Sequence, residues 1–397
     1  MDKQTRAWAT LAGVSLLFFL TTALTFSSLG AVLPAMMSEL HFSNSGAGWG
    51  YTLLGIFCGL TATIPAMLIR RFGVRATLLS GGVVMVVAFA SLAATHGLAL
   101  YLIGCSLCGL GFTLLATVPG TYLLTRTFHH PDFAFGLYFT IGGLGGVAGP
   151  QLYLLTQSLS HGWRDFWIVS AALSLAAAIL AALLVDVKTD LAREGTETEA
   201  ITREAWTAKA ALKTPQFAIL AAAYVAFLIV DITVNNWSVI HLIGRGVASN
   251  AAIDMLSVIA LANAGARLLG GMVSRFISVK TLLMISLVIL ILGLLALCVA
   301  RDAPMMLIYA AGIGIGSGLT FFASTILLLD YFGRAPNLEL FSIVNLISTL
   351  GSVGPAFAGF VADRTQSFVP SFLILAGFVL LVLLAVAWMK PPHRVVP

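Results

Sequence analysis

Thr281-Leu282-Leu283-Met284-Ile285-Ser286-Leu287-Val288-Ile289-Leu290-Ile291-Leu292-Gly293-Leu294-Leu295-Ala296-Leu297-Cys298-Val299-Ala300 is a run of twenty residues without one charge. A helix needs about 20 mostly apolar residues to cross the hydrocarbon core of a bilayer. A helix apolar on every side has no use for water. Working outward, the neighbouring stretches are of the same kind. Charged or turn-rich breaks divide the 397-residue chain into twelve such runs, at 11–33, 47–69, 76–95, 98–124, 134–157, 166–185, 216–241, 251–273, 280–300, 304–328, 338–361 and 368–389. The composition agrees, with 59% hydrophobic and 9% charged residues against about 25% charged in soluble domains. The run at 11–33 is too long for a signal-peptide core and lacks a small-residue cleavage pattern, so it reads as a permanent helix.

The net charge of +5 does not point to nucleic acid, because of where the charges fall. With twelve spans, sixteen of the 21 Lys and Arg lie on one side, including Arg70, Arg71, Arg75, Arg275, Lys280 and Arg334. The other side holds Arg164, Arg245, Arg301 and Arg364, and Arg267 lies inside a span. The positive-inside rule then predicts both termini in the cytoplasm of a cell with the chain in its plasma (inner) membrane. An odd number of spans would scramble this bias. Cys105 and Cys108 have CxxC spacing, but they sit with Cys58 and Cys298 inside spans and read as small lipophilic residues.

The chain repeats itself. A shift of 205 residues lays Gly109 and Gly111 on Gly314 and Gly316, and Gly146, Gly149 and Pro150 on Gly351, Gly354 and Pro355. It also lays Arg70, Val74 and Arg75 on Arg275, Val279 and Lys280. The expected organisation is an N-terminal six-helix bundle (1–186), a polar linker (187–213) and a C-terminal six-helix bundle (214–397). The linker is too polar to enter a bilayer, with a surface helix expected near Glu204–Leu212. Gly142/Gly146 and Gly145/Gly149 are interleaved GxxxG pairs, which let helix backbones approach closely. Pro34, Pro65, Pro119, Pro150 and Pro355 lie in or near spans, where proline is tolerated and can bend a helix.

Six spans, a long polar middle and six more resemble the major facilitator superfamily. Arg70-Arg71-Phe72-Gly73-Val74-Arg75 resembles the end of that family's signature loop, Gly-x-x-x-Asp-Arg-x-Gly-Arg-Arg. Gly270-Gly271-Met272-Val273-Ser274-Arg275-Phe276 is its counterpart after span 8. Neither copy has the motif's Asp. Gly145-x-x-x-Gly149-Pro150 resembles the family's Gly-x-x-x-Gly-Pro element, and Asp330-Tyr331-Phe332-Gly333-Arg334 closes span 10 in typical fashion. The resemblance implies an all-α membrane protein of twelve transmembrane helices in two pseudo-symmetric bundles. It implies gating or structural roles for Arg70, Arg71, Gly73, Arg75, Arg275, Gly145, Gly149, Pro150, Asp330 and Arg334.

Two ionisable residues lie deep in spans, Asp231 in span 7 and Arg267 in span 8. Groups at such depth are costly and face a cavity or a partner. The spans run in opposite directions and place Arg267 about 9 Å from Asp231 along the axis. Helical side chains lean toward their own N-termini, so these two lean toward each other. Either a buried pair or a shared wet site satisfies that placement. Arginine suits a carboxylate because its planar fork stays charged. Asn263-Ala264-Gly265-Ala266-Arg267 is similar to span 8 of the monocarboxylate and oxalate/formate carriers. That likeness implies a carboxylate-binding Arg267 with Asn263 one turn away on the same face. Span 1 has no lysine, unlike the animal monocarboxylate carriers. Span 11 offers Asn345, Ser348 and Thr349 rather than a second cation, so one positive charge favours a monoanion. Asp231 is the candidate for proton coupling. Asn235 shares its face, and Asn236 and Trp237 follow. Tyr122, Tyr138 and Phe321 are candidate cavity aromatics.

His129, His130 and Asp132 lie on a turn and do not read as a metal site. No Walker loop follows any of the six lysines, and no nucleophile elbow, HExxH or paired-CxxC zinc pattern occurs. No cofactor or metal is expected. The expectation is a non-enzymatic secondary transporter, monomeric in the lipid bilayer. It would move a small organic anion by alternating access, coupled to protons or by exchange. Proton-driven efflux of an amphiphile is the alternative, since the Gly-x-x-x-Gly-Pro element is associated with such antiporters. A membrane receptor or enzyme has neither a sensory domain nor a catalytic constellation behind it.

Overall fold

The apolar runs fold as helices because a helix satisfies its own backbone where no water can. The computed structural model describes residues 3–128, 131–185, 206–333 and 336–392. All regular elements among them are helical. The first half of the chain comprises α1 (Lys3–Thr22), a π-helical stretch Ala23–Ser27, α2 (Ser28–Leu40), α3 (Asn44–Leu60), α4 (Ile64–Ala93), α5 (Leu98–Leu115), α6 (Thr117–Thr127), α7 (Pro131–Thr156) and α8 (Trp163–Leu184). After the one-turn α9 (Ala208–Ala211) come α10 (Pro215–Gly244), α11 (Ser249–Val273), α12 (Val279–Val299), α13 (Ala303–Phe332), α14 (Asn337–Ser348), a 3₁₀ turn Thr349–Val353, α15 (Gly354–Thr365) and α16 (Val369–Trp388).

Ten helical stretches among the described residues are long and apolar enough to cross a membrane. The expected spans at 47–69 and 134–157 complete the twelve. α3 has 17 residues and stops at a turn over residues 61–63, and α7 has 26 residues but is diluted by its glycines. Large apolar side chains such as Leu183, Leu292 and Leu381 point outward, as lipid-facing surface does.

The spans are less continuous than the sequence suggests. Breaks fall at 61–63, at Ala116 and at the 3₁₀ turn Thr349–Val353. Pro65, Pro119 and Pro355 sit in the first turns of the segments that follow, where a missing N–H costs nothing. Pro34 and Pro150 stay inside continuous helices.

The helices pack as two compact units, residues 1–196 with 248–260 and residues 197–247 with 261–397. The expected halves differ from this mainly at 248–260. That first half of α11 clusters with α7: Ser257 Oγ donates to the Val147 carbonyl at 2.8 Å, and Gln151 Nε2 donates to Asp254 Oδ1 at 2.9 Å. Of the expected linker, residues 187–205 lie outside the described residues. The expected surface helix is one turn in its described part, capped by Thr207 Oγ1, which accepts from the Ala210 N–H.

The 205-residue shift carries over into packing inside each unit. A Cβ on Gly149 would overlap the Ala23 carbonyl oxygen; a Cβ on Gly354 would overlap Thr233 Oγ1 and crowd the Ile229 carbonyl. Each glycine therefore seats the fifth span of its half against the first. Gly73 takes φ 81°, ψ 165°, a left-handed kink inside α4 that a side chain would strain. Just beyond it, Arg75 Nη2 donates to the Val185 carbonyl at the end of α8, 2.7 Å away. Its repeat partner Lys280 donates from Nζ to the Ala387 and Met389 carbonyls at the end of α16, at 2.9 and 2.7 Å. Both cations meet orphan carbonyls at a helix C-terminus. Arg70 is exposed and Arg71 lies over the Phe72 ring at 5.2 Å. Arg275 and Asp330 are exposed. Arg334, His129 and His130 lie outside the described residues, as does the side chain of Asp132.

Candidate substrate site

The charged residues deep in the spans, Asp231 and Arg267, lie in the second unit. α10 carries Asp231, with Tyr224 seven residues before it on the same face. α11 carries Asn263 and, one turn on, Arg267. α13 comes close because Gly318 leaves room: a Cβ there would press on the Asn263 carbonyl and the Ala266 side chain. That approach sets Phe321 beneath Arg267, whose Cζ lies 4.3 Å from the ring centroid. Tyr224 and Phe227 both meet Phe321 edge-on, at 5.8 Å. Tyr224 and Thr325 hydrogen-bond through their hydroxyls.

Asp231 and Arg267 lie within each other's electrostatic reach, with Ser317 beside the carboxyl. They do not close an ion pair with each other. Asp231 Oδ1 and Arg267 Nε are buried and have no hydrogen-bond partner. Buried charged groups left in this way are expensive unless something else completes them. The guanidinium is thus held on one face by an aromatic ring and keeps an unsatisfied donor edge. A carboxylate is the group that such an edge accepts best.

The remaining candidates fall into two kinds. Asn235 shares the Asp231 face but donates its amide to the Asp231 backbone carbonyl at 2.8 Å. Asn236 is fully buried, with both amide atoms unpartnered. Trp237 is fully buried too, donating from Nε1 to the Pro355 carbonyl at 2.8 Å and stacking on Phe368. Asn345 is exposed and donates to the Phe341 carbonyl at 2.8 Å. Tyr122 and Tyr138 belong to the first unit. Tyr122 lies under the Arg126 guanidinium at 4.6 Å. Tyr138 is fully buried against Phe18 and Gly120, its hydroxyl donating to the Ala116 carbonyl at 2.7 Å. Trp237 and Tyr138 are both enclosed by packing, with their polar atoms bonded to backbone carbonyls. Tyr224, Phe227, Ser317 and Thr325 were not among the sequence candidates. The seven-residue step from Tyr224 to Asp231 is a signal that could have found the first of them.

A helical chain of repeated six-span halves, with a half-buried arginine and carboxyl deep in the spans of one half, is the build of a secondary transporter. The chain belongs to the Major Facilitator Superfamily, whose family model matches residues 15–275 and 237–397. It is 25% identical to human Monocarboxylate transporter 6 over 89% of this chain and 74% of that protein. It is 24% identical to the uncharacterized transporter YycB of Bacillus subtilis (strain 168), over 94% and 91%. Among solved structures, the nucleoside transporter NupG superposes with a TM-score of 0.76 at 16% identity, covering 98% of this chain and all of that one. A bacterial homolog of the human lysosomal transporter Spinster, inward-facing and occupied, gives 0.72 at 16% identity over 95% of each chain. The chain is thus an integral membrane transporter of a small-molecule substrate.

Proposed function

We propose that the chain carries a small organic anion, a monocarboxylate, across the membrane by alternating access, with movement coupled to protons or run as exchange. The observation behind this is Arg267: half-buried with its guanidinium over Phe321, not closed into an ion pair with Asp231, and left with a buried Nε that no described residue satisfies. One cation with aromatic walls suits a single carboxylate on a short apolar body. Asn263, one turn away on the same face, is the neighbouring polar ligand. Asp231 is the proton carrier, because filling the arginine with an anion removes a positive influence from beside it and changes the cost of its own charge. The human relative, a monocarboxylate transporter by name, supports the substrate class. The charge bias supports cytoplasmic termini and an inner-membrane location, and the protein acts as a monomer.

The test is uptake of labelled short-chain monocarboxylates into vesicles of the full chain, with and without a pH gradient. Saturable uptake that Arg267→Ala removes, in protein that still elutes as folded, supports the reading. A folded Arg267→Ala protein that transports normally sinks it.

A further inference from the structure

We infer that the segments after spans 2 and 8, Arg70–Phe72 and Arg275–Phe276, each hold the headgroup of an anionic phospholipid, an inference independent of what the central site carries. The 205-residue shift makes the two segments copies, laying Arg70 on Arg275 and Arg75 on Lys280. Within each copy the two cations are used differently. Arg75 is tied to the Val185 carbonyl, and Lys280 to the Ala387 and Met389 carbonyls. Arg70 and Arg275, five residues earlier, are exposed and make no hydrogen bond or ion pair among the described residues. Arg71 is exposed too, with its guanidinium over the Phe72 ring and its donor edge unused among the described residues.

Each free cation has exposed apolar side chains next to it. Phe72 is 59% exposed and Phe276 is 87% exposed. In the first unit Gly73 breaks the helical course directly after Phe72, so that Val74 is buried while Phe72 stays outside. Met67, also exposed, lies one turn before Arg71. In the second unit α11 ends at Val273 and leaves Phe276 in the turn before α12. Leu261, Leu268 and Met272 are exposed above it. At 3.6 residues per turn these three share one face of α11, opposite the face of Asn263 and Arg267. Their stripe is about 16 Å long. That is about the depth of one leaflet of a hydrocarbon core about 30 Å thick.

An apolar stripe one leaflet deep that ends at a ring and a guanidinium matches the outline of a phospholipid. The acyl chain lies along the stripe, the aromatic ring sits at headgroup level, and the planar fork of arginine takes the phosphate oxygens. A soluble anion would use the cation but leave the stripe bare. A zwitterionic lipid would cover the stripe but bring its own cation to the guanidinium. A headgroup of net negative charge uses both features. Each arginine beside such a headgroup is worth about fivefold in affinity. The first unit, with Arg70 and Arg71, therefore holds its lipid more tightly than the second, with Arg275 alone.

The test titrates the full chain, in neutral detergent, with phosphatidylglycerol or phosphatidylcholine and counts bound lipids by native mass spectrometry. The expected result is that phosphatidylglycerol is retained in preference to phosphatidylcholine. Arg70→Gln with Arg71→Gln should weaken the tightest bound phosphatidylglycerol by about 25-fold, and Arg275→Gln should weaken a second by about fivefold. Met272→Ser should weaken that second lipid although every cation remains. Lys209→Gln, an exposed cation away from both segments, should change neither. These side chains are exposed, so the melting temperature in detergent should hold; Arg275→Gln alone decides the matter if the double variant fails to fold. Equal retention of the two lipids, or unchanged retention of phosphatidylglycerol in folded arginine variants, overturns the inference. Displacement of the lipid by inorganic phosphate, or indifference to Met272→Ser, overturns it as well, since a free-anion site would remain. None of these failures touches the carboxylate reading, which uptake alone decides.

Discussion

Phe26 and Phe112 touch ring edge to ring face at the place where, in the other half, Asp231 stands beside Ser317. The two seams, span 1 against span 4 and span 7 against span 10, share helix order, glycine contacts and terminal ties, and differ in polarity. One half therefore shows what the fold requires, and the other shows what has been added to it. What is required is small residues at close approaches and a cation at the end of each sixth span. What has been added is a carboxyl, a guanidinium and hydroxyls on α10, α11 and α13.

The harshest way to break this contrast is to copy it. Phe26→Asp places an unpaired charge in the apolar seam with no guanidinium near it. Removing the partner of a buried charge costs about 3–5 kcal/mol, and Phe26→Asp should lose stability on that scale. The readout is the melting temperature in detergent, and an unchanged value would show that the first seam is already wet. Next comes Arg267→Ala, which should lower monocarboxylate uptake by about a hundredfold, the scale expected when one member of a buried charged contact is truncated. Asp231→Asn should spare exchange between labelled and unlabelled anion while abolishing the response of uptake to a pH gradient. Coupled uptake that survives this change would remove Asp231 from the coupling step. The smallest effects belong to Arg75→Ala and Lys280→Ala. Each should cost up to about 1 kcal/mol through a lost helix-end contact, and the two melting shifts should match. A shift in only one of them would show that the ties are unequal despite their common register.

Much of this was legible in the sequence for simple reasons. Asp231 and Arg267 stand out because charges inside spans are rare, and Gly149 and Gly354 because a repeat lines them up. The breaks were not legible, because proline alone does not decide them. Pro34 and Pro150 ride inside continuous helices, whereas Pro65, Pro119 and Pro355 open new segments. Tertiary contacts choose between those outcomes. Aromatics in spans were equally ambiguous. Phe321 lies under Arg267 while Tyr138 and Trp237 are fully enclosed, and only the neighbours separate a wall from a brick. Ser317 and Thr325 were missed because hydroxyls are common on membrane helices and bond their own backbone cheaply.

The ties at Arg75 and Lys280 have a consequence for how the chain is made. Each joins the start of the third span in its half to the end of the sixth, and neither uses a residue from the other half. The first knot is complete once Val185 has emerged. A growing chain can thus finish one half in the membrane while the other is still being translated. A piece that fastens itself is also a piece that can be copied whole.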